Sequence, residues 1–169
     1  MVLTYSKMVP LGSPANDFKL KGIDEKFHSL AEYKEAKVLV IIFMCNHCPY
    51  VQKIWEPLVA LSNHLPKEVQ FIGINSNANQ LYPEDSFVKM KQYATEKGQT
   101  FPYLYDEGQE VATSYQAVCT PDFFVYNKDQ KLAYRGSFDG LKSAIIAILD
   151  GKEAKQEQTS SMGCSIKWA

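Results

Sequence analysis

Residues 37–43 read Lys-Val-Leu-Val-Ile-Ile-Phe, and Cys45-Asn-His-Cys48 begins two residues later. A short, uninterrupted apolar run rich in β-branched residues has the composition of a strand buried on both faces. Delivering two cysteines, two residues apart, from such a strand to the start of a helix builds a redox-active dithiol. The spacing lets the sulfurs bond to each other, and the helix N-terminus favours the thiolate that reacts. In an intracellular chain this pattern, beside strand–helix–strand, reads as a thioredoxin-like motif.

The rest of the chain is compatible with that reading. At 169 residues it is long enough for one domain with a real core. A formal net charge of −1 gives no electrostatic reason to expect nucleic acid or an anionic membrane as partner. Met1–Gly12 lacks the cationic start and apolar centre of a signal peptide, and Val38–Cys45 is too short to span a bilayer. The expectation is a soluble, cytoplasmic protein. In that reducing setting four cysteines (45, 48, 119 and 164) suggest catalytic thiols, metal ligands or buried small hydrophobes, not a disulfide framework. Arg135 is the single arginine among 18 basic residues.

Residues 18–21 and 26–30 flank Gly22-Ile-Asp-Glu25 as a hairpin. The buried strand 37–43 is followed by a helix from Pro49 to about Leu65, which Pro57 should kink or interrupt. Residues 69–75 form a second strand, completing a right-handed parallel βαβ unit. A helix is predicted over 83–97, a strand over 101–105 and a short helix over 108–116. Strands 122–127 and 131–136 form an antiparallel hairpin, and a closing helix spans 141–149. The expected fold is α/β: a thioredoxin fold, with a central mixed sheet flanked by helices, an N-terminal β-hairpin extension and a helix–strand insertion at 83–105. The domain covers 1–150. Residues 151–169 form a C-terminal tail that turns polar and reads as a mobile arm, ending in the less polar 161–168.

Cys45 is the expected nucleophile, with its thiol pKa depressed, and Cys48 the more buried resolving thiol. His47, between them, can supply positive charge or a hydrogen bond to the thiolate. Asn46, in the same loop, is a candidate substrate contact. Thr120-Pro121 stands at the head of the second hairpin, where thioredoxin folds hold a cis proline. There the backbone of Thr120 is available for strand-like pairing with a substrate chain. Cys119 beside it reads equally as a redox thiol or a buried strand-end residue. Cys164 reads as inert or packing, with an extra resolving role as the alternative. His28 and His64 read as surface residues.

Six blocks in order carry a family resemblance: 43–51 around Cys-Asn-His-Cys, Ile74-Asn-Ser-Asn77, 82–87 (Tyr-Pro-Glu-Asp-Ser-Phe), 100–107, 117–124 around Cys-Thr-Pro, and Tyr134-Arg-Gly136. Over 12–150, and in the tail at 163–168, the chain resembles small bacterial peroxiredoxin-like redoxins related to AhpC/TSA and TlpA thiol-disulfide proteins. The resemblance implies a thioredoxin fold, Cys45 and Cys48 as the active pair, and Pro121 in cis. Two departures stand out. The strand 38–43 carries no acid, where thioredoxin buries an aspartate, and Ile42 replaces the threonine that precedes the reactive cysteine of true peroxiredoxins.

These features give a thiol-disulfide oxidoreductase without cofactor or metal. It would act on protein or small-molecule disulfides and take electrons from an unidentified donor. The rival is a thiol peroxidase, with Cys45 oxidised by a hydroperoxide and Arg135 or Thr120 polarising the peroxide. A copper-chaperone-type metal carrier would need a late histidine, and none follows His64.

Overall fold

A computed structural model of the chain describes residues 2–155 and 158–169. In chain order the strands and helices are β1 (Leu3–Tyr5), β2 (Lys19–Gly22), β3 (Phe27–Ser29), β4 (Val38–Phe43), α1 (Pro49–His64), β5 (Val69–Asn75) and α2 (Phe87–Glu96). They continue as β6 (Tyr103–Tyr105), α3 (Glu110–Tyr115), β7 (Cys119–Thr120), β8 (Asp122–Asn127), β9 (Leu132–Gly136), α4 (Phe138–Leu149) and β10 (Met162–Ser165). Short 3₁₀ turns occupy Leu30–Tyr33 and Pro83–Asp85.

The central sheet has the order β3-β2-β6-β5-β4-β8-β9. β4 runs parallel to β5 and antiparallel to β8, and β5 runs parallel to β6. All six residues of β4 are buried, as its composition requires, because it is a middle strand covered on both faces. Its alternate residues serve two cores. Val38, Val40 and Ile42 pack with Trp55 and Leu58 of α1, Met90 of α2 and Leu141 of α4. Leu39, Ile41 and Phe43 pack with Tyr115 of α3 and Phe124 of β8. Each such aliphatic side chain contributes roughly 1.5–3 kcal/mol by leaving water, so β4 is the most strongly anchored strand. It is also the one that delivers the cysteines. No helix of the described residues is long and apolar enough to cross a membrane.

Several expectations are met: the hairpin β2–β3, the parallel β4–α1–β5 unit, the hairpin β8–β9 and a cis Thr120–Pro121 bond. Others are corrected. Pro57 does not interrupt α1, which is continuous from Pro49 to His64. Pro57 and Lys53 both lie on the exposed face, so the carbonyl that loses its N–H partner is open to water. The helix predicted over 83–97 is divided by extended backbone at Ser86, which releases Asp85 from the helix to serve the cysteine loop. α4 starts at Phe138, three residues early, with Ser137 at its N-cap position.

The largest correction concerns the tail. It is not a free arm, although Gln156 and Glu157, part of its polar stretch, lie outside the described residues. Ala154 is buried, Ser161 bonds to Pro121 O and Ser6, and Met162–Ser165 is the middle strand of a second sheet ordered β1-β10-β7. β1 was not predicted either. Three residues have no readable period, and its partner lies at the far end of the chain.

Candidate active site

β4 ends at Phe43, Met44 N–H still bonds to Ile74 O, and the chain then turns through Cys45–His47 into α1. Cys48 is the N-cap of that helix and Pro49 its first residue, where a missing N–H costs nothing. Both sulfurs are fully buried.

The loop is held by a residue that the sequence reading did not place in the site. Asp85 is fully buried, and its Oδ1 accepts the backbone N–H of Asn46 (2.8 Å) and of His47 (3.1 Å). Its Oδ2 accepts from Nδ2 of Asn77 (2.8 Å) and is paired with Nδ1 of His47. Of the two roles expected of His47, the hydrogen bond to the thiolate is not seen, since Nδ1 serves Asp85, but a ring nitrogen does lie within 4.8 Å of Cys45 Sγ. Its ring is turned onto Asp85 and stacks on Tyr82, with centroids 5.4 Å apart. Asn46 is corrected too: it is fully buried, donates to Glu84 O and accepts from Tyr103 OH, so its side chain braces the loop from inside and does not reach the surface where a substrate would meet it. The available signal for Asp85 was its place in the 82–87 block, but a helix-opening acid explained it locally.

From the other side comes the cis-proline segment. Thr120 Oγ1 lies 3.4 Å from Cys45 Sγ, and Thr120 O lies 3.3 Å from Cys48 Sγ. The expectation that the residue before the cis proline faces the dithiol is met. Thr120 does not, however, present a free strand edge. β10 pairs there, with Cys164 opposite Thr120 and Ser165 opposite Cys119. The fit is close: a Cβ on Gly163 would come within 1.8 Å of Thr120 O. Cys164, read as inert or packing, lies with its sulfur 3.0 Å from Cys48 Sγ.

Arg135 is buried away from these sulfurs. It pairs with Asp122 (3.0 Å), donates to Lys7 O and lies over the Phe124 ring. The role of polarising a peroxide at Cys45 is thereby corrected: Nε and Nη2 serve Lys7 O and Asp122, and Nη1, though without a partner, belongs to a side chain that is fully enclosed. Asp122 is pushed up to about 7 by its burial, against the pull of Arg135. Cys119 is buried, and desolvation drives its thiol pKa far up, which argues for packing.

The dithiol titrates as a pair. Burial, the Cys48 contact and the charge of Asp85 push Cys45 well above the ordinary thiol value, the reverse of the expected depression. Cys48 is pulled down to about 4, first by the hydrogen bond from Cys45, then by Cys164, the Val51 N–H of the first helical turn and Thr120. The first proton is therefore lost more readily from Cys48 than from Cys45, and Cys48 in its protonated form donates to Thr120 O. Cys45, His47 and Asp85 also place one ligand atom each within 4.8 Å of one another. This thiolate–imidazole–carboxylate set would suit a zinc-like ion, with Asp85 in the place of the absent late histidine.

A paired dithiol at a helix N-terminus, faced by a cis proline and carried on a mixed sheet between helices, defines a thiol-based redox protein of the thioredoxin-like fold. Comparison with known proteins agrees. Residues 11–135 match the AhpC/TSA family, and the chain belongs to it. An uncharacterized conserved protein from Geobacillus kaustophilus is 42% identical over 100% of this chain and 97% of that one, with a TM-score of 0.96. The thioredoxin domain of a thiol-disulfide oxidoreductase from Bacteroides vulgatus is 16% identical over 82% of this chain and 97% of its own, with a TM-score of 0.70. A peroxidoxin from Mycobacterium tuberculosis is 19% identical over 83% and 96%, with a TM-score of 0.67. No curated protein matches.

Proposed function

We propose that the protein is a cytoplasmic thiol-disulfide oxidoreductase working through a reversible Cys45–Cys48 dithiol. The observation that carries this is the placement of the two motif sulfurs at the N-terminus of α1, against Thr120 and its cis bond to Pro121. Cys45 attacks a disulfide sulfur of the substrate as its proton passes to Cys48. The mixed disulfide is then resolved by Cys48, which leaves Cys45–Cys48 oxidised and the substrate reduced. An external thiol donor of the cell restores the dithiol. Substrates are small-molecule disulfides, or protein disulfides whose strand displaces β10 from Thr120. Nucleic acid and membrane play no part in this reading.

Hydroperoxides are the second substrate class to test. The family includes peroxidases in its range, but Arg135, the cation that would polarise a peroxide, is fully buried and ion-paired with Asp122. The test is disulfide reduction and peroxide consumption measured side by side on wild type and Cys45→Ser. The oxidoreductase reading expects disulfide reduction that Cys45→Ser abolishes. Peroxide turnover without disulfide reduction would overturn it in favour of a peroxidase.

A further inference from the structure

Cys48 stands between the other two thiols of the site: it is three positions from Cys45 in the motif and its sulfur lies 3.0 Å from that of Cys164. A bonded pair of sulfurs is about 2.05 Å apart, so a short movement would close the Cys48–Cys164 bond. The approach of Cys164 is built in. β10 is fixed on one side by β1 and on the other by the cis-proline segment, with Gly163 pressed on Thr120 O and Lys167 N–H bonded to Asn77 Oδ1 (2.9 Å). Asn77 in turn holds Asp85, so the tail strand and the cysteine loop share one polar network. The position is also telling. β10 occupies the edge of Thr120 where an incoming strand would pair, and it presents a cysteine there. The chain supplies its own thiol-bearing strand to its own dithiol.

We infer that Cys164 is a third redox thiol, which takes the disulfide from Cys45–Cys48 and forms Cys48–Cys164. This rests on the Cys45–Cys48 reading above. The Cys164 thiolate attacks Cys48 Sγ, the Cys45–Cys48 bond breaks, and Cys45 leaves as the thiolate. The proton lost by Cys164 is returned to Cys45 or to solvent. One disulfide is exchanged for another, the protein stays oxidised by two electrons throughout, and no outside reagent enters. In the reduced protein, burial and the neighbouring Cys48 raise the Cys164 thiol to about 12, while Lys167 lowers it. Once Cys48 is in a disulfide its contribution is gone, which moves Cys164 towards reactivity at the step that needs it. The exchange frees Cys45 while the oxidation is held between α1 and the tail strand.

The test is disulfide mapping after equilibration in glutathione buffers, acid quench and alkylation, on wild type, Cys45→Ser and Cys164→Ser. Cys45→Ala and Cys164→Ala serve as second variants, and circular dichroism checks folding. Cys45→Ser should form an intramolecular Cys48–Cys164 disulfide. Oxidised wild type should contain that bond beside Cys45–Cys48, with about tenfold more alkylated Cys45 than oxidised Cys164→Ser. If Cys164→Ser forms Cys45–Cys48 but neither wild type nor either Cys45 variant yields Cys48–Cys164, the relay is wrong and the dithiol reading stands. If folded Cys164→Ser and Cys164→Ala both fail to form Cys45–Cys48, the dithiol reading itself fails and the relay falls with it.

Discussion

Replacing Asp85 by asparagine tests the architecture of the site most directly, because it alters charge and hydrogen bonding at one buried point. Oδ1 of the new residue can still accept the N–H groups of Asn46 and His47. The former Oδ2 becomes an NH₂ facing two donors, His47 Nδ1 and Asn77 Nδ2. His47 can change tautomer and accept. Asn77 cannot flip without losing the bond that its Oδ1 accepts from Lys167. At least one buried donor is therefore left unpaired, at a cost of about 1–3 kcal/mol. For a chain of this size that lowers Tm by about 2–4 °C per kcal/mol. The same change removes a negative charge that holds the Cys45 thiol pKa up. Asp85→Asn should thus be less stable and yet have a more acidic, faster-alkylating Cys45. Thermal unfolding together with pH-dependent iodoacetamide labelling, read at Cys45 by mass spectrometry, measures both. A variant with unchanged Tm, or with slower Cys45 alkylation, refutes the role given to Asp85.

Gly163→Ala should undock β10, since the added methyl meets backbone at Thr120 and not a movable side chain. Limited proteolysis at 158–165 and faster alkylation of Cys48 report it, and an intact, protected tail would contradict it. The reduced protein should keep thiolate absorbance at 240 nm down to about pH 4, owing to Cys48; absorbance lost by pH 7 would disprove the lowering of the Cys48 pKa. Because an unfolded thiol holds its proton to about 8.5, the native pair binds fewer protons than the unfolded chain between those values. Stability of the reduced protein should therefore rise with pH across that window, then fall above it as the raised pKa of Cys45 reverses the sign. Denaturant midpoints compared with Cys48→Ser isolate this contribution, and identical pH slopes would exclude it. Asp122→Ala strands Arg135 as a buried unpaired cation and should cost about 3–5 kcal/mol. Urea unfolding checks it, and a loss below 1 kcal/mol would mean that the guanidinium finds water.

What could be read in the sequence was what neighbours in sequence determine. β4 declares itself by an unbroken apolar run, the dithiol by its spacing, and the β8–β9 hairpin by apolar strands around Asn127-Lys-Asp-Gln130. The cis proline was legible through its place in the order of elements. The misreadings share a cause: each residue has partners far away that local pattern does not encode. Asn46 looks like a free loop amide until Glu84 and Tyr103 claim both of its ends. His47 looks like a partner of Cys45 until a carboxylate 38 positions on takes its ring nitrogen. Arg135 stands out in the sequence as the single arginine, and in the fold it forms a buried ion pair within the β8–β9 hairpin. The tail was judged by its polar stretch, whereas the small residues beyond it are what a strand pressed on a backbone requires.

The sheet β1–β10–β7 joins parts of the chain that are almost as far apart as they can be. Ser6 and Ser161 bond across 155 positions, and the sulfurs of Cys48 and Cys164 meet across 116. Closing loops of that length costs entropy that only the finished contact offsets, and pairings of such long range form late. β4, α1 and β5, in contrast, are neighbours along the chain. The roof over the motif sulfurs is thus a contact between segments 116 positions apart, and exposure of the dithiol is tied to the stability of that long-range pairing and not to the local strength of the βαβ unit that carries it.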